Sequence, residues 1–329
     1  MDARRHKVIF DTDPGVDDAM ALYFALAHPD IEVIGITTTF GNVSVEQAAS
    51  NALYLTHIAG FEIPVTQGIA APLTIPPPVP PAHIHGADGL GNLPERLPVP
   101  AALDPRSSAP FIVDMARAQP GEITLVAVGP LGNLSLALAL EPGLPHLLRE
   151  VILMGGTVQE PGNVSPVAEA NIANDPHAAA DVFAAPWKLT MVGLDVTHRV
   201  ILPLALFKEI ADKQQHIATS TLHHAVAFYA DFYSGLYPHV AQIHGCFGHD
   251  VLAFLYLVQP ELFGLARGRI SVITQGVEQG QTLLHSGELQ GASATYRQAA
   301  NRFSQDCMQV DADACKQTLE ETLLGNWLA

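Results

Sequence analysis

The first forty residues constrain the architecture more than any other part of the chain. Val8-Ile-Phe10 is an apolar run of strand type, Pro14-Gly15 marks a tight turn, and Ala19–Ala27 is apolar throughout, as a buried helix would be. Ile31–Thr38 then reads as a second strand, ended by Phe40-Gly-Asn42, and residues 44–59 as an amphipathic helix. A strand, a helix and a strand in succession predict a parallel pair, because parallel strands need a crossover of a dozen or more residues. The alternation resumes with a strand at Glu122–Val128, a turn at Gly129-Pro-Leu-Gly-Asn133, a short helix through Leu140 and a strand at Val151–Met154. Helices over 175–184, 203–213 and 217–237 and a strand at Lys188–Gly193 continue it. The fold expected is α/β, with a mostly parallel central sheet flanked by helices and its site at the carboxyl ends of the strands.

At the first corner of that sheet lies Asp11-Thr-Asp-Pro-Gly-Val-Asp-Asp18, four carboxylates in eight residues. Asp17 and Asp18 fall in the first turn of the helix, where its dipole favours negative charge. Asp13 as a helix cap, with Asp17 and Asp18 complementing the dipole, would account for part of the stretch without any ligand. It leaves the remaining charge repelling, which a hard cation would relieve. Calcium and magnesium both take oxygen ligands, and calcium's looser geometry suits a crowded pocket that must also admit substrate oxygens. An EF-hand is excluded, because Gly15 stands at the wrong loop position and Leu22 occupies the place of the bidentate Glu.

Composition narrows the partners. A net charge of −17 over 329 residues argues against nucleic acid or an anionic membrane, both of which call for a basic surface. Three cysteines, Cys246, Cys307 and Cys315, fit a reducing compartment better than a disulfide framework. No signal-peptide core precedes Asp11 and no run approaches the ~18 apolar residues of a spanning helix, so a cytoplasmic protein is expected. No linker or internal repeat divides the chain, and residues 1–329 are expected to form one domain. Residues 69–105 form a long proline- and glycine-rich segment, and loops of that length are commonly functional or disordered. In 217–237, Phe228 and Phe232, then Tyr229, Tyr233 and Tyr237, recur at four-residue spacing, a pattern that serves a core or a base-stacking wall. Pro238–Gly248 is expected to be flexible, and runs near 269–274 and 281–285 with a helix over about 311–325 to extend and close the sheet.

The segment Asp11–Asp18 resembles the amino-terminal signature of the inosine-uridine-preferring nucleoside hydrolases, calcium-dependent enzymes that cleave the N-glycosidic bond of ribonucleosides on an open Rossmann-like fold. Further segments agree in order: Thr37-Thr-Thr-Phe-Gly-Asn42, His85-Gly-Ala-Asp-Gly-Leu90, Gly129–Asn133, Gly162–Asn171 and His249-Asp250. The resemblance also takes in Gln259–Phe263 and Gly280-Gln-Thr282, hence nearly the whole chain. It implies Asp13, Asp18, Asp250 and the Gly132 carbonyl as ligands to Ca2+. Asp13 is implied as general base and His249 as proton donor to the departing base. Asp17, Asn42, Asn163, Glu169 and Asn171 would hold the ribose, His85 would stand near the base, and Tyr229, Tyr233 and Tyr237 are candidate base contacts. Family members carry Thr where this chain has Gly132, and many carry Phe where it has Ala170, so a side chain is lost from each place. The resemblance further implies a homodimer or homotetramer.

The chemistry explains the residue types. Breaking a C–N glycosidic bond passes through an oxocarbenium-like sugar and asks for an activated water on one face and help for the leaving group on the other. A cation lowers the pKa of water and templates a diol. Direct attack by water leaves no sugar on the enzyme and inverts the anomeric carbon. Two other classes compete. A haloacid-dehalogenase phosphatase would use Asp11 and Asp13 of a D-x-D motif with magnesium, but Pro14-Gly15 follows where that motif continues differently. A calcium-dependent nucleoside- or ribose-binding protein would keep the metal acids and Asn163, Glu169 and Asn171 without needing the pairing of Asp13 and His249.

Overall fold

The computed structural model describes residues 5–285 and 304–328. In chain order the elements begin with β1 (His6–Thr12), α1 (Val16–Ala27), β2 (Ile31–Thr38), α2 (Val45–Ile58), β3 (Val65–Gln67), α3 (Ala82–His85) and α4 (Ser108–Ala118). They continue with β4 (Ile123–Ala127), α5 (Gly132–Leu140), α6 (Leu144–Leu147), β5 (Glu150–Met154), α7 (Ala170–Asn174), α8 (Pro176–Ala184), β6 (Leu189–Val192) and α9 (Leu194–Thr197). Then come β7 (Ile201–Pro203), α10 (Leu204–Gln214), α11 (Ile217–Leu236), α12 (Pro238–Ala241), β8 (Gly245–Phe247) and α13 (Val251–Val258). The last are β9 (Phe263–Val272), β10 (Thr282–His285), β11 (Ser304–Val310) and a helix at Ala312–Leu323, here α14.

Nine strands make one sheet in the order β3-β2-β1-β4-β5-β6-β11-β9-β10. It is parallel from β3 through β11, and β9 and β10 join antiparallel at the far edge. The order reverses between β1 and β4: β2 and β3 extend one way, β5 and β6 the other. Loops leaving two strands at such a switch point diverge and open a crevice. The acid-rich turn leaves β1 there, and Val128–Leu131 leaves β4.

Each face of the sheet carries its own apolar layer. On one, α1, α11 and α13 pack over Val8, Phe10 and Ile36, and Phe10 meets Phe254 edge-on at 5.0 Å. On the other, α4, α5 and α8 cover Ile9, Leu125 and Leu153. Helix α13, Val-Leu-Ala-Phe-Leu-Tyr-Leu-Val, is apolar all round because it packs against α1, β5 and α14 at once. That placement fixes the entry of the helix, where Asp250 stands. Among the described residues no helix is long and apolar enough to cross a membrane.

Most expected elements are present within a residue or two, but four regions differ. Helix α4 was not anticipated, since Pro110 sits in its first turn, the one part of a helix that tolerates it. Strand β11, Ser-Gln-Asp-Cys-Met-Gln-Val, lacks the apolar pattern of a central strand yet pairs on both sides. The strand expected near 269–274 begins six residues earlier, at Phe263. Pro238–Gly248, expected to be flexible, instead holds α12 and β8, which pairs antiparallel with β7. Three-residue strands are too short to show a period in sequence.

Candidate active site

The turn after β1 places each carboxylate differently. Gly15 is the N-cap of α1, and Asp18 at the third helical position accepts its N–H at 2.9 Å. Asp18 also accepts from the Thr12 hydroxyl, from Asp13 N–H at 3.2 Å and from Asn42 Nδ2 at 3.0 Å. Capping is therefore the work of Asp18, and Asp13 is left over. Asp13 Oδ2 accepts the Asn42 N–H at 2.7 Å, while its Oδ1 is buried with no hydrogen-bond partner. Asp17 Oδ2 accepts the Tyr229 hydroxyl at 2.9 Å, and its Oδ1 is likewise buried and unpartnered. Asp250 stands at the N-cap of α13 but makes no cap bond, which removes the simplest structural reason for it. Asp11 turns into the sheet, taking bonds from Thr37 Oγ1 at 2.5 Å and Asn133 Nδ2 at 2.9 Å, and so ties β1 to β2 and to the start of α5.

Two glycines make room for Asp13. Gly41 has φ +155°, and a Cβ there would overlap Asp13 Oδ2; at Gly129 it would lie 2.6 Å from Oδ1. The wall beside the carboxylate is thus main chain alone. Neither residue was singled out from sequence, where Gly41 and Gly129 read as turn glycines; only their meeting across β1 shows what they admit.

Burial raises every acid of the cluster, and repulsion from neighbouring carboxylates adds to it at Asp13, Asp18, Glu169 and Asp250. Burial, then Asp18, holds Asp13 well above the usual carboxylate range, and burial, then Asp17, does the same to Asp250. Burial takes Asp11 and Asp17 to about 6 and Glu169 to about 7, and raises Asp18. Asp17, Asp18 and Asp250 can bring one carboxylate oxygen each within 4.8 Å of one another. Asp13, expected in that group, is not among these three; its Oδ2 accepts from Asn42 and its Oδ1 is left without a partner. No lysine or arginine lines the cavity above. Hard oxygen donors, orphaned acceptors and uncompensated charge are together what a divalent cation fits.

These shifts have a sign. A folded carboxyl at about 6 or 7, against 3.8 or 4.5 for its ordinary value, holds a proton that the unfolded chain gives up. These groups accordingly stabilise the metal-free protein most below their ordinary values, and that contribution is lost as pH rises through them to about 7. Chelated protein should melt progressively lower across that window by scanning fluorimetry, and the gain on adding a divalent cation should grow over the same window. A cation shift equal at its two ends would remove this linkage.

The loop after β5 carries the next group. Glu169 caps α7, its Oε1 accepting Asn171 N–H at 2.9 Å and its Oε2 accepting Gly156 N–H at 2.8 Å and Ile172 N–H at 3.2 Å. Asn171 spends its Nδ2 on the Val128 carbonyl at 2.7 Å and the Met154 carbonyl at 3.2 Å, tying the ends of β4 and β5 to this loop. Asn163 is exposed at the rim, with Oδ1 on the Ala170 N–H at 3.0 Å. Asp195, fully buried, clamps the loop by accepting Val158 N–H and Gln159 N–H, both at 2.7 Å.

Gly132 requires a correction. It is the first residue of α5, its Cα faces Ile69, and it does not line the cavity. The chain reverses at Gly129-Pro130, so the last residue of the β4 end to face the cavity is Val128, whose carbonyl already meets Asn171. The resemblance pointed to the turn but could not say which of its carbonyls looks inward.

Over these groups opens a cavity of about 360 Å³. Its floor has Asp17, Asn42, Val128, Glu169, Asn171 and Asp250; Asp13 and Asp18 lie beneath Asn42. One side is formed by α11, with Tyr229, Phe232, Tyr233 and Leu236, and by Tyr237 just beyond it, and another by Pro78, Val79, Pro81 and Ile84. His85, expected on an exposed loop, is buried. Its Nδ1 accepts the Val16 N–H at 3.2 Å, which places the ring proton on Nε2, and burial lowers its pKa to about 4. The 3.8 Å approach of that Nδ1 to Asp17 is therefore no ion pair. Asn51 of α2 fixes this loop by donating to the Pro14 carbonyl at 2.8 Å and the Asp88 carbonyl at 2.9 Å.

Tyr229 and Tyr233 are not free base contacts. The Tyr229 hydroxyl is engaged with Asp17, and that of Tyr233 lies 3.0 Å from His249 Nε2 and 3.4 Å from the Tyr229 oxygen. His249 is buried, its pKa held well down by burial, and its Nδ1 is 2.8 Å from Thr197 Oγ1. Tyr237 is half-buried at the rim.

Fold and site define an α/β enzyme with a carboxylate-floored, aromatic-walled pocket at the switch point of its sheet. The comparisons give the family. The family model for inosine-uridine preferring nucleoside hydrolases matches residues 8–317. Uridine nucleosidase 1 of Arabidopsis thaliana is 37% identical over 289 residues, covering 86% of this chain and 83% of that protein. The inosine-uridine preferring nucleoside hydrolase of Leishmania major is 36% identical over 274 residues, covering 82% and 84%. Among solved structures, a plant nucleoside hydrolase superposes with a TM-score of 0.90 at 33% identity over 97% of this chain and 99% of its own. A purine-preferring ribonucleoside hydrolase from Gardnerella vaginalis gives 0.88 at 32% over 97% and 98%. The chain belongs to the inosine-uridine preferring nucleoside hydrolase family. It is an N-glycosyl hydrolase of ribonucleosides, and the family is metal-dependent.

Proposed function

We propose that the cation is Ca2+, held by Asp18 and Asp250 with Asp13 and the Val128 carbonyl. The observation that supports this most is the pair of buried, unpartnered oxygens, Asp13 Oδ1 and Asp17 Oδ1, in a site with no lysine or arginine in its lining. When bound, the ion supplies a template for the ribose diol and lowers the pKa of water. Asp13 takes a proton from the attacking water, whose oxygen bonds to the anomeric carbon from the face opposite the base, so the product is inverted. The C–N bond breaks with its electron pair on the base nitrogen, and the base takes up a proton on the side of Tyr233 and His249. Water is the only co-substrate. Asp17 Oδ1 and Asn171 Oδ1 accept ribose hydroxyls, Asn42 and Glu169 hold the sugar between them, and Asn163 stands over its outer edge. His85 and Tyr237 border the base.

The base end is bounded by Pro78, Val79, Ile84, Phe232 and Leu236, with few free polar groups. An apolar wall separates bases by only about 1–3 kcal/mol, so purine and pyrimidine ribonucleosides are both substrates in this reading. The reading includes one domain over 1–329 and a homodimer or homotetramer, in which side chains left exposed, Leu140 and Leu265 among them, would find cover. The cytoplasm is proposed because all three cysteines are unpaired.

The test is release of free base from inosine, adenosine, uridine and cytidine by the protein as purified, after chelation, and after return of calcium or magnesium. Activity abolished by chelation and restored by calcium supports the reading. Restoration by magnesium alone would replace the cation, and undiminished activity after exhaustive chelation would overturn the site.

A further inference from the structure

Gly280-Gln-Thr282, which the resemblance takes in, lies outside the cavity and has no part in the proposed reaction. Thr282 opens β10 and is buried. Its hydroxyl makes two bonds to one residue, accepting the Thr157 N–H at 2.9 Å and donating to the Thr157 carbonyl at 2.5 Å. The direction of both is fixed, because a main-chain N–H only donates and a carbonyl only accepts. One oxygen thus supplies the donor and the acceptor that a neighbouring strand would offer.

Thr157 belongs to the segment that leaves β5 and leads to Glu169. The consecutive N–H groups of that segment, from Gly156 to Glu160, are all taken by side chains from elsewhere. Gly156 N–H goes to Glu169 at 2.8 Å and Thr157 N–H to Thr282; those of Val158, Gln159 and Glu160 go to Asp195 at 2.7, 2.7 and 3.1 Å. Gly156 has φ +75°, in the region that favours glycine, and a Cβ there would lie 3.1 Å from Thr282 Oγ1. The same hairpin reaches the far end of the loop. Ala168 bridges antiparallel to Gln281, and a Cβ on Gly280 would lie 2.9 Å from that of Ala168. Gly280–Thr282 therefore grips the loop where it starts and again just before Glu169.

We propose that Thr282 is a positioning residue for the ribose: its hydroxyl, with the Asp195 carboxylate beside it, fixes the start of the loop so that Glu169 and Asn171 meet the sugar in one place. Glu169 is the link, since its Oε2 accepts the Gly156 N–H and its Oε1 the Asn171 N–H. A shift at Gly156 is passed to both sugar contacts. Without the Thr282 hydroxyl a buried N–H and a buried carbonyl lose their partner, and the segment moves to relieve them. A misplacement of about 1 Å far from the reacting atoms can cost about 100-fold in rate. The inference rests on the reading that Glu169 and Asn171 hold the ribose.

The experiment compares wild type, Thr282→Val, Thr282→Ser and Asn171→Ala, each calcium-loaded, on uridine and its 2′-, 3′- and 5′-deoxy analogues. Asn171→Ala identifies the analogue against which the loop discriminates, as the one whose handicap relative to uridine shrinks. Thr282→Val keeps the shape of the side chain and removes both bonds. It should lower kcat/KM on uridine by roughly 10- to 100-fold and lower it less on that same analogue, so the preference narrows. Thr282→Ser, which keeps the hydroxyl, should restore both the rate and the preference. Equal losses on all four substrates, or none on uridine, would overturn the proposal. Amide exchange in the wild type tests it without a variant: a Thr157 N–H as labile as an exposed amide sinks it. If Asn171→Ala narrows no preference, the reading beneath fails and this one with it. If Asn171→Ala narrows one and Thr282→Val does not, Thr282 alone is wrong.

Discussion

Asp13→Asn is expected to reduce kcat on every ribonucleoside by roughly 10²- to 10⁴-fold, the range that a positioned general base contributes. The substitution keeps the size of the side chain and lets its oxygen go on accepting the Asn42 N–H now received at 2.7 Å. What it removes is the second acceptor, the buried and unpartnered Oδ1. It also removes a charge that burial and Asp18 already penalise. The metal-free variant should therefore melt no lower than the metal-free wild type, and this separates lost chemistry from lost structure. Single-turnover rates at saturating substrate, alongside melting curves with and without calcium, provide the check. A kcat within about threefold of wild type would remove Asp13 from the role of base.

The second large effect concerns the sugar. A site built to bind a hydroxyl rejects the analogue lacking it by roughly 10⁴- to 10⁵-fold, because the groups that faced the hydroxyl are left unsatisfied. Asp17 Oδ1 is already such a group, buried with no partner in the protein. Asn171 has spent its Nδ2 on the Val128 and Met154 carbonyls, so its orientation is set before any ligand arrives. The expected ratio of kcat/KM for uridine over 2′-deoxyuridine accordingly approaches that range. Comparable values for the two would mean that the floor of the pocket does not read the diol.

How much of this was legible in sequence varies with how local the cause is. The strand-turn-helix around Asp11–Asp18 and the strand at Ile31–Thr38 depend on neighbouring residues, and both stand where the pattern put them. Asp250 and Glu169 were picked out by the resemblance and not by local pattern, and α7, which Glu169 opens, was not expected at all. The roles of Gly41 and Gly129 were not, since each is defined by the side chain of Asp13 arriving from another strand. Val128 in place of Gly132 is a matter of which carbonyl a reversing chain turns inward, and periodicity carries no information about that. Tyr229 and Tyr233 were read correctly as one stripe, but their hydroxyls are taken by Asp17 and His249, more than ten residues away in each case. Thr282 was legible only within the resemblance, and its bonds to Thr157, 125 residues earlier, were not.

The walls of the cavity come from two sources. In the proposed reading bond cleavage is served by strand ends and main chain: the turn after β1, Gly41, Gly129 and Val128. The base meets α11 side chains and the proline-rich segment, at Phe232, Leu236, Val79 and Ile84. Tyr229 and Tyr233 of α11 bind Asp17 and His249 and tie the two halves together, so it is the apolar positions of the wall, which make no such bond to the floor, that can change and leave its geometry standing. Such a division lets a lineage change its diet of bases by drift at a few apolar positions, with the reactive half inherited intact.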